Sequence, residues 1–245
     1  MDKIINFQMS LFGSFINVQP NLQLTNRIEA NLRDDDFVPS IAVVSEFDPE
    51  KKQVITENRL QMTSKDHSWS IVFLADRIDI NYFYPGGEQF FSNLHDILEL
   101  SKKYCSHTFA SIADTTGNRI AINGKFLLKE MSFDEKQKII SEFTIIPKIF
   151  ENNPVTEWSV HYNSPKTIKF GNKLEKCNNI LDINEIVGIN SKEQTISKRM
   201  VIGLDINTDQ ANKILKYKFT DLLELANVVE DMMLATLMEI EGHIS

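Results

Sequence analysis

Apolar positions along the chain change repeatedly between the two-residue period of a strand and the longer period of a helix. Leu24, Ile28 and Leu32 keep helical spacing after an opening strand, whereas the turn residues Asp48 and Pro49 separate two strands of a predicted hairpin. The elements predicted in this part are strand 3–15, helix 21–35, hairpin strands 39–44 and 53–62, and strands 68–76 and 77–84.

The segment 77–84 alternates two sets of side chains, as a strand with one dry and one wet face does. The sets are Ile78, Ile80, Tyr82 and Tyr84 on one side, and Arg77, Asp79, Asn81 and Phe83 on the other. We therefore expect a sheet with one face in water.

Helices interrupt the strands at two further places. After the breaker 85–87, a helix has one apolar side, formed by Phe90, Phe91, Leu94, Ile97, Leu98 and Leu100. Ser132 followed by Glu135 predicts the start of another helix through a capping box.

Runs of antiparallel strands flanked by helices predict an α+β protein, with two closely packed lobes of antiparallel sheet covered by helices. The predicted N-terminal α+β lobe is 1–131, and the predicted C-terminal lobe is 132–245. The second lobe is expected to contain three long strands, 155–170, 176–190 and 196–207, and a long C-terminal helix from about Phe219 to Ile240.

Composition excludes several classes of function. The formal net charge of −8 opposes binding to phosphate backbones and anionic lipids, so we expect neither a nucleic-acid partner nor a membrane. No run of eighteen apolar residues occurs, and the N-terminal 20 residues do not resemble a signal peptide. Two cysteines in 245 residues are too few for a disulfide framework, which favours a cytoplasmic location.

The stretch 111–124, SIADTTGNRIAING, is the strongest candidate for chemistry. Asp114, Thr115, Thr116 and Gly117 approach the Asp-Thr-Gly signature of aspartic proteases, with one residue too many. The same residue types suit a hairpin connection between strands 107–113 and 119–122, in which glycine supplies a positive φ. We favour the turn and expect Asp114→Asn to keep function. Asn123 and Gly124 predict a further turn or bulge.

Two other patterns are candidates for functional sites. Glu50 and Lys52 have the Glu-x-Lys spacing of metal-dependent nucleases, with the acids 34–36 upstream, but they lie in a turn. Cys105 and His107 provide two potential metal ligands and lack two more. We therefore assign no catalytic residue, no metal site and no cofactor.

Several landmarks occur in a characteristic order. They are 36–39 (DFVP), Trp69, 77–82 (RIDINY), the helix around Phe90 and Phe91, 119–123 (RIAIN) and the apolar C-terminal helix. This order resembles a sporadically distributed, uncharacterised family of bacterial proteins of similar length, some found near mobile elements and defence genes. The resemblance implies no activity, catalytic residue or cofactor.

The C-terminal helix carries the candidate interaction surface. One arc of the helix is apolar and predicted to face the core, while the opposite arc mixes acids with apolar side chains. The candidate interface residues are Leu223, Leu234, Met238, Glu230 and Asp231. Such an apolar stripe with an acidic rim suits a neighbouring helix or a basic partner.

The sequence therefore predicts a non-enzymatic cytoplasmic protein that acts through self-assembly or protein–protein binding. The resemblance alone adds a role in a bacterial stress or anti-phage defence system. Two alternatives remain open. One is a hydrolase, nuclease or protease, using Asp114 or the acids near Glu50, and the other is a small-molecule binder with its pocket between the lobes.

Overall fold

The computed structural model describes residues 2–48, 52–86, 93–112, 115–145, 158–190 and 195–243. In these residues the helices are α1 Leu22–Leu32, α2 Leu94–Ala110, α3 Phe133–Phe143 and α4 Phe219–Gly242. The strands are β1 Lys3–Phe12, β2 Phe37–Asp48, β3 Gln53–Ser64, β4 Trp69–Phe73, β5 Arg77–Phe83, β6 Arg119–Leu127, β7 Ser159–Asn163, β8 Lys166–Phe170, β9 Lys173–Asn190 and β10 Thr195–Thr208.

The strands form one antiparallel sheet in the order β2-β3-β4-β5-β1-β6-β10-β9-β7, with β8 also paired to β9. β7 and β8 lie in line along one edge of β9, because Asn163 is opposite Ile180 and Lys166 is opposite Cys177. Pro165, which has no N–H, separates the two. The α+β class is confirmed, and the predicted strand 155–170 becomes two short strands in line.

The order of elements occurs twice along the chain. In each half a strand and a helix are followed by a run of strands and a second helix, from β1 to α2 and again from β6 to α4. The first strand of each half pairs with the last strand of that half, β1 with β5 and β6 with β10. Since β1 and β6 also pair antiparallel with each other, an approximate two-fold axis passes between them. The sheet therefore continues across the predicted lobe boundary after residue 131.

The helices cover one face of the sheet and enclose the main core. α2 packs against α4, and the rings of Phe109 and Phe219 stack with centroids 5.5 Å apart. On α4 the side chains that face the sheet are fully buried: Leu222, Leu225, Ala226, Val229, Met233, Leu237 and Ile240. Apart from Ala226, each of these side chains contributes about 1.5–3 kcal/mol of hydrophobic stabilisation. The predicted apolar arc of this helix is the core face.

The alternation predicted in 77–84 is present, but its polar face is not wet at this strand. Tyr82 pairs with Phe7 on the helix-covered face, whereas Asp79 lies on the opposite face and is only 3% exposed. Asp79 accepts hydrogen bonds from Ser10 Oγ at 2.6 Å and Arg77 Nε at 2.8 Å. The carboxylate tolerates burial because Ser10 on β1 and Arg77 on its own strand supply its donors.

The stretch 107–113 was predicted as a strand, and this is wrong. α2 continues through Ala110 and buries Thr108 and Phe109. The segment leading to β6 therefore joins a helix to a strand and is not a hairpin turn. The run was too short for periodicity to distinguish the two, and packing of α2 on the sheet decides for the helix.

Asn123 and Gly124 do not make a turn either. Both lie inside β6, and the register shift at this level is in the neighbouring strand, between Ile4 and Asn6 of β1. A Cβ at Gly124 would come within 2.7 Å of the buried Phe126 ring. The glycine makes room for that ring.

Candidate functional site

The candidate acids for hydrolysis are only partly covered by the structure. Asp114 and Glu50 lie outside the described residues. Asp36 precedes β2 and Asp48 ends it, so the acids at 34–36 and the turn after Asp48 are separated by roughly 40 Å of extended strand. Asp36 is ion-paired with Lys65. The two ends of β2 therefore cannot contribute ligands to one metal ion.

The cysteines are placed as structural thiols. Burial raises the pKa of the Cys105 thiol strongly, and burial followed by the charge of Glu175 raises the pKa of Cys177 to about 11. Thiols held protonated in this way are poor nucleophiles and poor metal ligands. His107 instead lies 3.4 Å from Asp35, and no group of three or more His, Cys, Asp or Glu within the described ranges could hold a metal ion.

The sheet face opposite the helices carries a row of polar side chains. Ser70, Asn81, Gln8, Asn123 and Asp205 are opposite one another on five adjacent strands that cross the approximate two-fold axis. Asn123 Nδ2 donates to Gln8 Oε1 at 2.8 Å, so part of the row is satisfied internally. Burial, followed by the neighbouring carboxylate of Asp182, raises the pKa of Asp205.

The structure divides the five candidate interface residues of α4 into two groups. Leu223 is half-buried against the core, and Glu230 Oε1 lies 2.9 Å from His95 Nδ1 on α2. Asp231 is exposed, and Leu234 and Met238 are 37% and 71% exposed one helical turn apart. The exposed apolar surface of this helix is therefore smaller than the predicted stripe.

Two cavities are bounded by described residues. One, of about 460 Å³, lies between the loop after β1, the start of α1 and the segment after α2, where Phe15, Arg27 and Thr115 line it. The other, of about 480 Å³, lies near the end of β9 and the start of β10, where Trp158, Glu185 and Lys198 line it. Each is formed mainly within one half of the fold and does not match the pocket expected between two lobes.

The two outer edges of the sheet differ in chemistry. The β7–β8 edge carries Pro165, Lys166 and Lys169, residue types that discourage the addition of another strand. The β2 edge has no charged residue from 37 to 45, and Ile41 and Val43 are 60% and 67% exposed. The second edge is suited to pairing.

The backbone of β2 presents hydrogen-bonding groups outward. The N–H of Lys65 donates to the carbonyl of Asp36 at 3.2 Å, in the register by which β3 pairs with β2. Backbone groups alternate in direction along a strand. The N–H and C=O groups of even-numbered residues therefore point toward β3, and those of odd-numbered residues point away from it. Pro39 is odd-numbered, so its missing N–H costs no hydrogen bond to β3.

The hairpin of β2 and β3 extends beyond the body of the sheet. Among the described residues, β3 pairs with β4 only from Gln61 to Thr63, so no third described strand lies beside the hairpin from Ile41 to Asp48. The base is anchored by buried Arg59, whose Nη1 lies 3.4 Å from the carbonyl oxygen of Ile16. We call residues 41–48 with 53–60 the β-arm. The sequence predicted the hairpin, but not that its outer edge is open.

No protein-family model matches the chain, and neither the curated proteins nor the solved structures searched contain a match. Among the helices that the structure describes, none combines the length and the apolar character required to cross a membrane.

Proposed function

We propose that this protein acts by binding protein chains, either a second copy or another protein, at the open edge of β2. One observation carries the proposal: the edge offers outward backbone groups beside exposed Ile41 and Val43, with no charge from 37 to 45. An exposed edge of this kind favours pairing with another strand unless charges or prolines oppose it.

The β-arm adds a second reason. A two-stranded hairpin is marginally stable in water, whereas three or more strands with an apolar face are stable. Val54 lies on the same face as Ile41 and Val43 and is also exposed. An added strand would extend this face and shield part of it.

The buried thiols of Cys105 and Cys177 are both free. Free cysteines are typical of a reducing compartment, so we place this binding function in the cytoplasm.

The proposal is tested with Ile41→Lys combined with Val43→Lys. Lysines on an edge strand oppose strand addition, so the variant should be a 28.2 kDa monomer with no protein bound at β2. The wild type should show a larger mass by light scattering or retain a protein partner. Thr167→Lys, on the exposed β8 edge, is the matched control and should behave as the wild type.

A wild type that stays monomeric at every concentration and retains no protein would contradict the proposal. An unchanged mass and partner set in the folded double variant would contradict it equally.

A further inference from the structure

We infer that the partner at β2 is a second copy of this chain, paired antiparallel about a two-fold axis at Ala42. This inference rests on the proposed function and names its partner. In the pair the two ten-stranded sheets become one continuous sheet.

The backbone of β2 is complementary to itself in this arrangement. With Ala42 on the axis, Ile41 of one copy is opposite Val43 of the other. The backbone N–H and C=O groups of both residues point away from β3 and toward the second copy. Each such pair exchanges both of its backbone hydrogen bonds. Pro39 falls opposite Ser45, where a single bond is lost at the margin of the ladder.

The side chains match as well as the backbone. Ile41 and Val43 lie on the helix-covered face of the sheet, continuous with buried Leu60. Pairing therefore places two Ile–Val contacts side by side over the axis. Glu46 is opposite Val38, so no like charges face each other across the ladder from 38 to 46.

A second copy also completes the β-arm more fully than a single peptide would. Each arm has two strands, and no other strand that the structure describes pairs with it along most of its length. Joining two arms gives a four-stranded ribbon, β3–β2–β2–β3, in which both hairpins gain their missing neighbour. A lone peptide would leave a new open edge on its outer side.

The chemistry of the far edges limits the assembly to a dimer. Both β2 edges are used up in the two-fold pair, and the remaining edges are β7–β8. Those edges carry Pro165, Lys166 and Lys169, which oppose further strand addition. A closed isologous dimer follows, and a filament does not.

The interface is small beside a standard protein–protein interface of about 1,600 Å². We therefore expect a dimer whose population rises with protein concentration, and the test uses covalent trapping under mild oxidation. Ala42→Cys places one thiol of each copy directly across the axis, at a separation that a disulfide can span. The native thiols of Cys105 and Cys177 have no exposed surface and do not interfere.

Two controls, each with one introduced cysteine, test the edge and the register of the pairing. Val44→Cys lies on the same face of the same strand, but its two copies would be about 14 Å apart, too far for a disulfide. Thr167→Cys lies on the exposed β8 edge. Ala42→Cys should form the covalent dimer at least about tenfold faster than either control, because pairing raises the effective concentration of the thiols.

A mixture of Ser40→Cys and Val44→Cys proteins provides a second measurement, since these positions are opposite each other across the axis. It should give the mixed dimer faster than either protein alone gives its own, and it does not depend on how the Ala42 variant folds. If Val44→Cys alone cross-links as fast as Ala42→Cys, the register is wrong.

The outcomes separate this inference from the proposed function. If the lysine variants abolish association but neither Ala42→Cys nor the mixture cross-links above Thr167→Cys, the partner is another protein and self-pairing is overturned. If no association of any kind occurs at β2, both proposals fail.

Discussion

At Gly117 the chain has no room for a side chain. A Cβ there would lie 2.3 Å from the carbonyl oxygen of Phe12 and 2.6 Å from Cδ1 of Leu11. Gly117 also donates its N–H to the Tyr217 carbonyl at 2.7 Å, which ties the start of β6 to the segment before α4. The φ of this glycine is not positive, so close approach, and not turn geometry, requires it.

We therefore expect Gly117→Ala to lower the free energy of unfolding by about 3 kcal/mol, because backbone atoms must move. For a chain of this length the melting temperature should fall by roughly 6–12 °C. Gly242→Ala, where nothing lies within 4 Å, is the matched control and should not destabilise the protein. Equal melting temperatures for the two variants in calorimetry would contradict this account.

Asp205 provides a test of pH dependence at the same scale. Burial, followed by Asp182, raises the pKa of Asp205 above its ordinary value of 3.8, although Asn207 and Arg119 oppose the shift. A raised carboxyl pKa means that the folded state binds the proton more tightly, so stability falls as pH rises from the unfolded pKa toward the folded pKa and stays lower above it.

Asp205→Asn removes this penalty and should raise the melting temperature at pH 7 relative to the wild type, with the gain shrinking below about pH 4. Asp209→Asn controls for the loss of one negative charge at an exposed position. A melting temperature at pH 7 below that of the wild type would show that the attraction of Arg119 and the hydrogen bond from Asn207 outweigh burial.

At the scale of elements, α4 combines a core face with a small exposed apolar patch. Leu234→Glu with Met238→Glu should leave the melting temperature within a few degrees, because both side chains are exposed. The dimer at β2 does not use this patch, so the variant should keep the mass of the wild-type dimer and release a partner that the patch binds, since charge replaces the apolar contact.

Leu225→Glu, at a fully buried position of the same helix, should unfold the protein and shows the effect of a charge placed in the core. If the double variant also unfolds, the patch belongs to the core. If it stays folded and keeps the same partners as the wild type, the predicted interface of α4 is wrong.

For the whole molecule, the continuous sheet and the contact between α2 and α4 join the two halves. We expect both halves to unfold together, since separating them would break the pairing of β1 with β6 and expose the Phe109–Phe219 stack. Trp69→Phe leaves Trp158 as a probe of the second half, and Trp158→Phe leaves Trp69 as a probe of the first. For each variant, the urea midpoint measured by fluorescence should coincide with the midpoint measured by circular dichroism. Two separated transitions would show independent lobes.

Local features were predictable where a short stretch of sequence contains the whole physical cause. The capping box of α3 is formed, with Ser132 Oγ accepting from the Glu135 N–H and Glu135 accepting from the Ser132 N–H. The stretch 107–113 was not predictable in this way, because its apolar residues fit a short strand or the end of a helix equally well. Contact with the sheet selected the helix.

The candidate site was less predictable than the fold. Leu234 and Met238 were identified from helical periodicity and are exposed, whereas Leu223 packs against the core through contacts that the periodicity of one helix does not include. The edge of β2 gave no local signal, because Ile41 and Val43 read equally well as residues of a central strand. Whether this edge is open depends on whether any other strand of the sheet pairs with it.

The sequence by itself determined the class of fold, the amphipathic helices and most strand positions, because caps, periodicity and turn residues act over a few neighbouring positions. Only the tertiary structure decided the strand order, the two-fold repetition of the halves and the position of β2 as an outer strand of the described sheet. These features depend on pairings such as β1 with β6, whose residues are more than 100 positions apart in the chain. An apolar alternation that suits one strand suits any neighbour of similar pattern, so the choice among neighbours is made by the packing of the whole sheet against its helices.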